Sequence, residues 1–420
     1  MAQTLKFGKG TWATKKGSTL AYSDTNNSFK PLPFTYTGFG KGTRVNKEGL
    51  IEVVENDRPR IDYLDSEDGV FLLEKASTNL ITYSEDVSHS SWAKTSVSIT
   101  SNSILSPDGS LNASTITENS TLNNHRISVN GLVGSGTHTV SVFAKANDRN
   151  WLIIRNAANN AWFDVLNGVV GTVESGNGSI ESYGNGWYRC SVTMSSLSTP
   201  AVGIADNNGS YSYQGNGTGS LYIWGAVAEN NSAASSYIPT QGTIQTRVQE
   251  AASGSGNSEV FNSEQGVLFA NIAANANDGT YRMISLSDGT VNNSTNIQYS
   301  GVSNQIRTRI ENSGSPQADI TSTVTSQTLF NKIAVLYKSN QFELWSNGFK
   351  VGEDTSGTPP SGINELSFDR GDGGSDFYGK TKEISYYDAI LTDLELETLT
   401  SYRTWEAMVK ELNLNIIHNE

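Results

Sequence analysis

The chain has 420 residues, with 42 acidic against 29 basic side chains, a net charge of −13 and a pI near 4.9. That balance excludes a nucleic-acid binder built on a basic patch, and the single cysteine, Cys190, excludes an intrachain disulfide framework. Charged residues make up 17%, against roughly 25% in ordinary soluble proteins, so the polar surface falls to Ser, Thr, Asn and Gly, as in many-turned β proteins. No run reaches the roughly 18 apolar residues of a membrane span. The start, MAQTLKFGKGTW, lacks the apolar centre of a signal peptide.

Residues 1 to about 43 carry Phe7, Trp12, Tyr22, Phe29, Phe34, Tyr36 and Phe39 without a clean period. They read as an extended N-terminal arm that buries its aromatics on a neighbour, with Phe7 and Trp12 as anchors. Gly38 to Thr43 has the look of a phosphate loop, but its Lys41 is followed by Gly and no βαβ pattern surrounds it, so it is a turn. From Thr43 the text runs GTRVNKEGLIEVVENDRPRIDYLDSEDGVFLLEKASTNLITYSED. Its carboxylates (Glu52, Glu55, Asp57, Asp62, Asp65, Glu67, Asp68) read as a solvated, turn-rich face.

Between residues 82 and about 245, short alternating runs recur between Asn/Gly turns: His138 to Lys145, Trp151 to Ile154, Trp162 to Val165, Trp187 to Met194 and Leu221 to Val227. Strands at this spacing predict a sandwich. Trp151, Trp162 and Trp187 have two readings, sugar-stacking platforms or core; they sit within or beside apolar runs, which favours core, as for Cys190. His89, His125, His138 and His418 show no metal-ligand spacing. Residues 251–258, AASGSGNS, read as a linker or exposed turn.

A second sandwich begins near Val260. In its closing half, Phe342 and Leu344 alternate with Gln341, Glu343 and Trp345, and Asn347-Gly348 then supplies the positive φ angles of a type I′ hairpin turn. Thr381 to Tyr387 is a further strand. Thr392 caps a helix with Glu395 as its capping-box partner. That helix runs to about Leu412, with Leu394, Tyr402, Trp405, Val409 and Leu412 on one face and Leu396 and Leu399 off it. Such two-sided apolarity points to packing between the sandwich and a partner subunit, or to one swollen stripe.

Three resemblances attach to these motifs. Arg44-Val45-Asn46, Gly49 to Glu52, Pro59 to Tyr63, Leu72 to Glu74, Thr78 to Ile81 and Ser84 to Asp86 resemble the linker of bacteriophage tail and fibre proteins, with Ser77 where that pattern usually has Arg. Trp92-Ala-Lys, Ser106 to Ser110, Gly184 to Arg189, Ser236 to Thr240 and Thr246-Arg247 resemble the carbohydrate-binding-like jelly roll of phage tail proteins. Trp345 to Gly348, Gly379, Glu383-Ile384, Tyr387, Leu391-Thr392 and Glu395 resemble the end of a concanavalin/laminin-G-like lectin domain.

The fold class expected is therefore all-β: two tandem β-sandwiches, one jelly-roll and one concanavalin/laminin-G-like, with an extended N-terminal arm and a C-terminal helix. The expected boundaries are an arm and virion-anchoring linker over 1–80, a jelly roll over 81–248, a lectin-like domain over 249–390, and a helix and tail over 391–420. The resemblance implies a virion protein on the head or tail surface, bound to other virion proteins and to a cell-surface glycan. It also implies a homo-oligomer, a trimer, with Tyr402 and Trp405 as contacts beside Phe7 and Trp12. No nucleic acid and no membrane span are expected.

No nucleophile-elbow, zinc-protease or P-loop pattern is present. The strand-borne acid cluster of sandwich glycosidases is missing from 260–390, so no catalysis is expected. The acidic loop Asp369 to Asp376 has two readings: a solvated glycine-rich loop, or a Ca2+ site formed by Asp369, Asp372 and Asp376. Trp345, Asn347 and Asp372 are the expected carbohydrate-binding residues, with Trp345 supplying an aromatic face or packing between sheets.

Overall fold

The computed structural model describes residues 3–157 and 159–414; the tail beyond, His418 included, lies outside the described residues. The protein is all-β, built from β-sandwich units. By chain contacts it divides into two: unit 1 is Met1–Gly38, Asn56–Lys75 and Gln249–Glu420, and unit 2 is Phe39–Glu55 and Ala76–Val248. Among the described residues no helix is long and apolar enough to cross a membrane.

Unit 1 packs a 12-stranded sheet on a five-stranded one. The larger runs Ala251–Ser253, Lys30–Thr37, Ser18–Ser23, Leu5–Gly8, Gly379–Tyr387, Gln265–Ala274, Asn331–Lys338, Gln341–Ser346, Phe349–Asp354. The smaller runs Ser315–Thr323, Gln305–Asn312, Ser294–Tyr299, Arg282–Ser287, Glu365–Ser367. Leu268, Ala270 and Leu344 from the first meet Ile284, Leu286 and Ile297 from the second in one core.

The aromatic N-terminal stretch is extended, as expected, but its partner is this chain's own C-terminal third rather than a neighbour. Leu5–Gly8 pairs with Gly379–Tyr387 in the register Phe7↔Ile384. Phe7, expected as an anchor, is buried edge-on against Phe34, Phe71 and Phe368 with centroids 5.0, 5.4 and 5.9 Å away. Trp12 packs on Phe7 at 5.4 Å and donates its indole N–H to the Asp68 carbonyl at 2.7 Å. The physical reason is that Lys30–Thr37 alternates, with Leu32, Phe34 and Tyr36 inward and the residues between them exposed. That is a strand that must bury one face.

The linker stretch is likewise more than a solvated face. Asp62 is buried, and Asp65 is paired with Lys380. Beside them Arg60, 1% exposed, is paired with both Glu74 and Glu250.

Unit 2 is a sandwich of two six-stranded sheets. One contains Trp92–Thr95, His125–Val129, Ala201–Ala205, Trp151–Asn156, Asn159–Asp164 and Val169–Val173; the other contains Val97–Ile104, Ala113–Glu118, Ser220–Glu229, Val133–Ala146, Tyr188–Ser198 and Asn177–Ser182. Leu152, Ile154, Val202 and Ile204 of the first face Val140, Cys190, Val192 and Ile223 of the second. Trp162, Trp187 and Cys190 are buried, as their patterns predict, whereas Trp151 is only half-buried and packs beside Ile153 and Trp162 in a cluster separate from the main core.

The C-terminal helix is two short helices, α1 (Asp393–Thr400) and α2 (Trp405–Glu411). The Thr392–Glu395 capping box is present. A single helix to Leu412 fails because Ser401 leaves the helical region and Thr404 starts a new cap, accepting from the Ala407 N–H; Ser and Thr side chains compete for backbone groups at such breaks. In α1 the buried face is also the other one: Leu396 and Leu399 pack on the sheet, while Leu394 is exposed. In α2 Val409 is buried, as its face predicts, and Trp405 is exposed.

Candidate functional site

Trp345, expected to offer its ring to a sugar, is 5% exposed and lies with Val267, Phe269, Leu336, Leu391 and Leu396 in a cluster under α1. Its indole N–H donates to Glu343 at 2.8 Å, and the Lys350 ammonium stands 5.6 Å from its ring centre. Alternation puts it on the face away from Phe342, and α1 covers that face.

Asn347 has φ 50° and Gly348 φ 94°, with Ser346 paired to Phe349, so the two-residue turn forms as expected. The Asn347 amide is engaged with the neighbouring strand, accepting from the Lys332 N–H and donating to Asn331, both at 3.0 Å. Asp372 is tied to Arg370, at 2.6 and 3.1 Å, and this cation holds its carboxyl below the usual range. Asp369 caps the Gly371 N–H at 2.5 Å, and Asp376 accepts from the Tyr378 hydroxyl at 2.8 Å. Burial raises both carboxyls. Among the described residues no three Asp, Glu, His or Cys side chains gather as a metal site. Tyr402 lies half-buried with the Lys332 ammonium 5.0 Å from its ring centre, and Trp405 is 62% exposed.

The motif residues converge elsewhere, inside unit 2. Ser84 takes the Thr240 N–H at 2.8 Å, lies 2.8 Å from the Tyr237 hydroxyl, and gives its own N–H to the Thr240 side chain at 3.0 Å. Thr43 donates its hydroxyl to the Tyr237 carbonyl at 2.7 Å. Thus the stretches 43–46, 84–86 and 236–240, far apart in sequence, form one knot. Beside it opens a cleft of about 670 Å3, lined by Lys41, Tyr83, Glu85, Asn112 and Gln245 among others.

Each wall has a local cause. Asp86 closes a turn by accepting from the Ser88 N–H at 3.1 Å, and Lys94 clamps the Ser88 and His89 carbonyls at 2.6 and 2.7 Å. Tyr83 stacks one ring face on His89, centroids 3.6 Å apart. The Ser91 N–H donates to His89 Nδ1 at 3.1 Å, so in the neutral ring the proton sits on Nε2. Glu85 accepts from the Tyr237 hydroxyl at 2.9 Å and from Asn112 at 3.3 Å; Asn112 also donates to Asp108 at 3.3 Å. Burial pushes the Glu85 carboxyl up, the Tyr237 bond opposes this, and the Asp108 charge adds to the rise.

No protein-family model matches the chain, and no curated protein sequence does. Among solved structures, the carbohydrate-binding module CBM40 of a Ruminococcus gnavus IT-sialidase, bound to α2,3-sialyllactose, aligns at 17% identity over 34% of this chain and 86% of that one, TM-score 0.31. A heptameric SAP-like pentraxin of Limulus polyphemus aligns at 12% identity over 33% of this chain and 70% of its own, TM-score 0.27. Sheep galectin-11, in complex with glycerol, aligns at 9% over 29% and 85%, TM-score 0.20. Scores this low carry no argument about activity, and the architecture rests on the strands themselves.

Chemically the cleft combines an aromatic ring, a carboxyl, an ammonium and several amides, the donor and acceptor mixture that meets a polyhydroxylated ligand. Glu85, Tyr83 and Asn112 were not singled out by sequence. For Glu85 the signal was present, because Ser84 to Asp86 is a motif run, whereas Tyr83 and Asn112 lie outside every such run.

Proposed function

We propose that the chain is a non-enzymatic bacteriophage virion protein, on the head or tail surface, whose sandwich units bind host or environmental glycans for attachment. The observation that carries this is that Glu85 and Asp86 from one phage-like motif run, and Pro239 and Thr240 from another, line one polar cleft. A motif serving only as a connector has no need to wall a cavity. The binding reading is favoured over catalysis because Asp86, the second carboxylate lining the cleft, is engaged in its own turn, accepting from the Ser88 N–H at 3.1 Å and the Ser88 hydroxyl at 2.5 Å. A glycosidase needs a second carboxylate free to face the substrate.

A glycan array probed with the full chain tests this. Capture of at least one glycan, weakened about tenfold by Tyr83→Ala as for an aromatic anchor, is the expected result. No capture leaves a decoration or connector role in its place. The raised carboxyl of Glu85 favours a second reading, a depolymerase, and release of oligosaccharides abolished by Glu85→Gln would establish it.

The same reading includes self-assembly, most simply as a trimer. Phe7 is spent inside unit 1, which leaves exposed Trp405, Leu394 and Phe349 as apolar surface to cover. Light scattering at micromolar concentration is expected to give a multiple of the 45.3 kDa chain. A monodisperse monomer removes the oligomer from the proposal.

A further inference from the structure

Part of the wall around the cleft of unit 2 is a β-bulge. The strands Val97–Ile104 and Ala113–Glu118 pair regularly from Val97↔Glu118 to Thr100↔Thr115, and pairing then resumes at Ile104↔Ala113. Four positions of one strand, 100 to 104, thus match two of the other, 115 to 113. The surplus lifts Ser101 and Asn102 out of the ladder, and both are exposed and line the cleft. Asn102 has φ 53°, in the left-handed region that Asn tolerates better than most side chains. Ser103 ties the bulge down, bonding to the Thr115 hydroxyl at 2.7 Å and donating to the Ala113 carbonyl at 3.3 Å. Bulges recur beside binding sites because they re-aim side chains.

The polar groups of this cleft are open to solvent. Among the described residues the Asn102 side-chain amide has no hydrogen-bond partner, and neither has that of Gln241, which is also exposed. Glu85 is half-buried, and its two oxygens take one bond each, from Tyr237 and Asn112, which leaves it acceptor capacity. The charged residues of the lining are Lys41, Glu85 and Asp86. Asp108, held by Asn112, adds a negative charge that Glu85 feels. Lys94 feels the Asp86 charge, but its ammonium is engaged by the Ser88 and His89 carbonyls and does not line the cleft. Three carboxylates therefore stand against two ammonium groups. In a chain of net charge −13, an anion entering here meets repulsion.

We propose that this cleft selects saccharides free of acidic groups, with Asn102 on the bulge as a specificity-determining contact. The Asn102 and Gln241 amides, each a donor and an acceptor, meet hydroxyl or N-acetyl groups, which offer both. Glu85 accepts a further hydroxyl. Asp86, held in its turn, contributes its charge, which turns away carboxylated and sulfated sugars. The inference rests on reading the cleft as the saccharide site, and it adds the class of ligand and the part played by the bulge.

The experiment is an array of neutral glycans beside carboxylated and sulfated counterparts of the same backbones, probed with the full chain and with Tyr83→Ala, Asp86→Asn and Asn102→Gly. Near-UV circular dichroism confirms that each variant is folded. Neutral glycans are expected to bind, with their acidic counterparts at least about tenfold weaker, as for like charges brought together. That gap is expected to narrow in Asp86→Asn, which removes the charge and keeps a residue suited to the turn, and to narrow at high salt. Asn102→Gly keeps the bulge, since glycine adopts positive φ freely, and is expected to weaken neutral binding roughly 2- to 10-fold, as for one hydrogen bond. Acidic counterparts that bind as tightly as neutral ones, and are lost in Tyr83→Ala, keep the cleft reading and overturn this one. A gap unchanged by both Asp86→Asn and salt, or neutral binding unchanged in Asn102→Gly, overturns it as well. Capture of no glycan at all overturns the saccharide reading itself, and this inference with it.

Discussion

Glu118 shows how a single residue of this chain couples burial to pH. It is 1% exposed, and burial alone would raise its carboxyl. The Arg149 guanidinium at 2.6 and 3.1 Å, the Tyr213 hydroxyl at 2.6 Å and the Asn216 N–H at 2.9 Å outweigh that and hold it below the usual range. A carboxyl depressed in the folded state contributes stability that is present above its unfolded value, about 4.3, and is lost as pH falls through the lower folded value. Glu118→Gln is therefore expected to destabilise unit 2 by about 3 kcal/mol at pH 7, as for breaking a buried ion pair. The gap from the natural chain should shrink as pH falls below about 4.3. Urea titrations at pH 7 and pH 3 check this; a gap that does not shrink in acid would show that packing, not charge, is what the residue contributes. Arg60 lies on the same scale, with two carboxylates around one guanidinium and the Tyr36 hydroxyl donating to Glu250 at 2.7 Å. Neither cluster was legible in sequence, because the partners are 31 residues apart in one case and 190 in the other.

At the scale of elements, what could be read was whatever is fixed by neighbours in sequence. The Asn347-Gly348 turn, the alternation of Phe342 and Leu344 against Trp345, and the Thr392–Glu395 box all depend on residues within a few positions. All three form as expected. Trp345 marks the limit. Its strand face followed from period 2, but that α1 would cover this face depended on Leu396, which the expected helix placed off its apolar side. The helix failed for a local reason, the Ser401 to Thr404 break, which outweighed an apolar spacing that crossed it. The binding cleft was half legible. Its knot consists of motif residues, whereas Tyr83, Glu85 and Asn112 acquire meaning only when 84–86 and 236–240 meet.

For the whole molecule, the decisive feature is that the chain order does not follow the units. The first 38 residues and residues 56–75 belong with Gln249–Glu420, so unit 1 is completed only when the last third of the chain is available. Leu5, Phe7, Leu32, Phe34 and Tyr36 all lie in its core. Removing large core side chains costs about 2–5 kcal/mol each, so five such losses come to about 10–25 kcal/mol, against the roughly 5–15 kcal/mol that holds a domain folded. Deleting residues 1–38 also strips the Gly379–Tyr387 strand of its Leu5–Gly8 neighbour, leaving unpaired backbone groups along it. A truncated chain starting at Phe39 is therefore expected to lose unit 1 as a folded body. Hydrogen exchange would show this as lost protection in Gln265–Ala274 and Asn331–Lys338, which are central strands of the larger sheet. A dispensable virion-anchoring arm predicts the opposite, with full protection of both strands after truncation. That result would mean that residues 1–38 pair with unit 1 without being needed to hold it together.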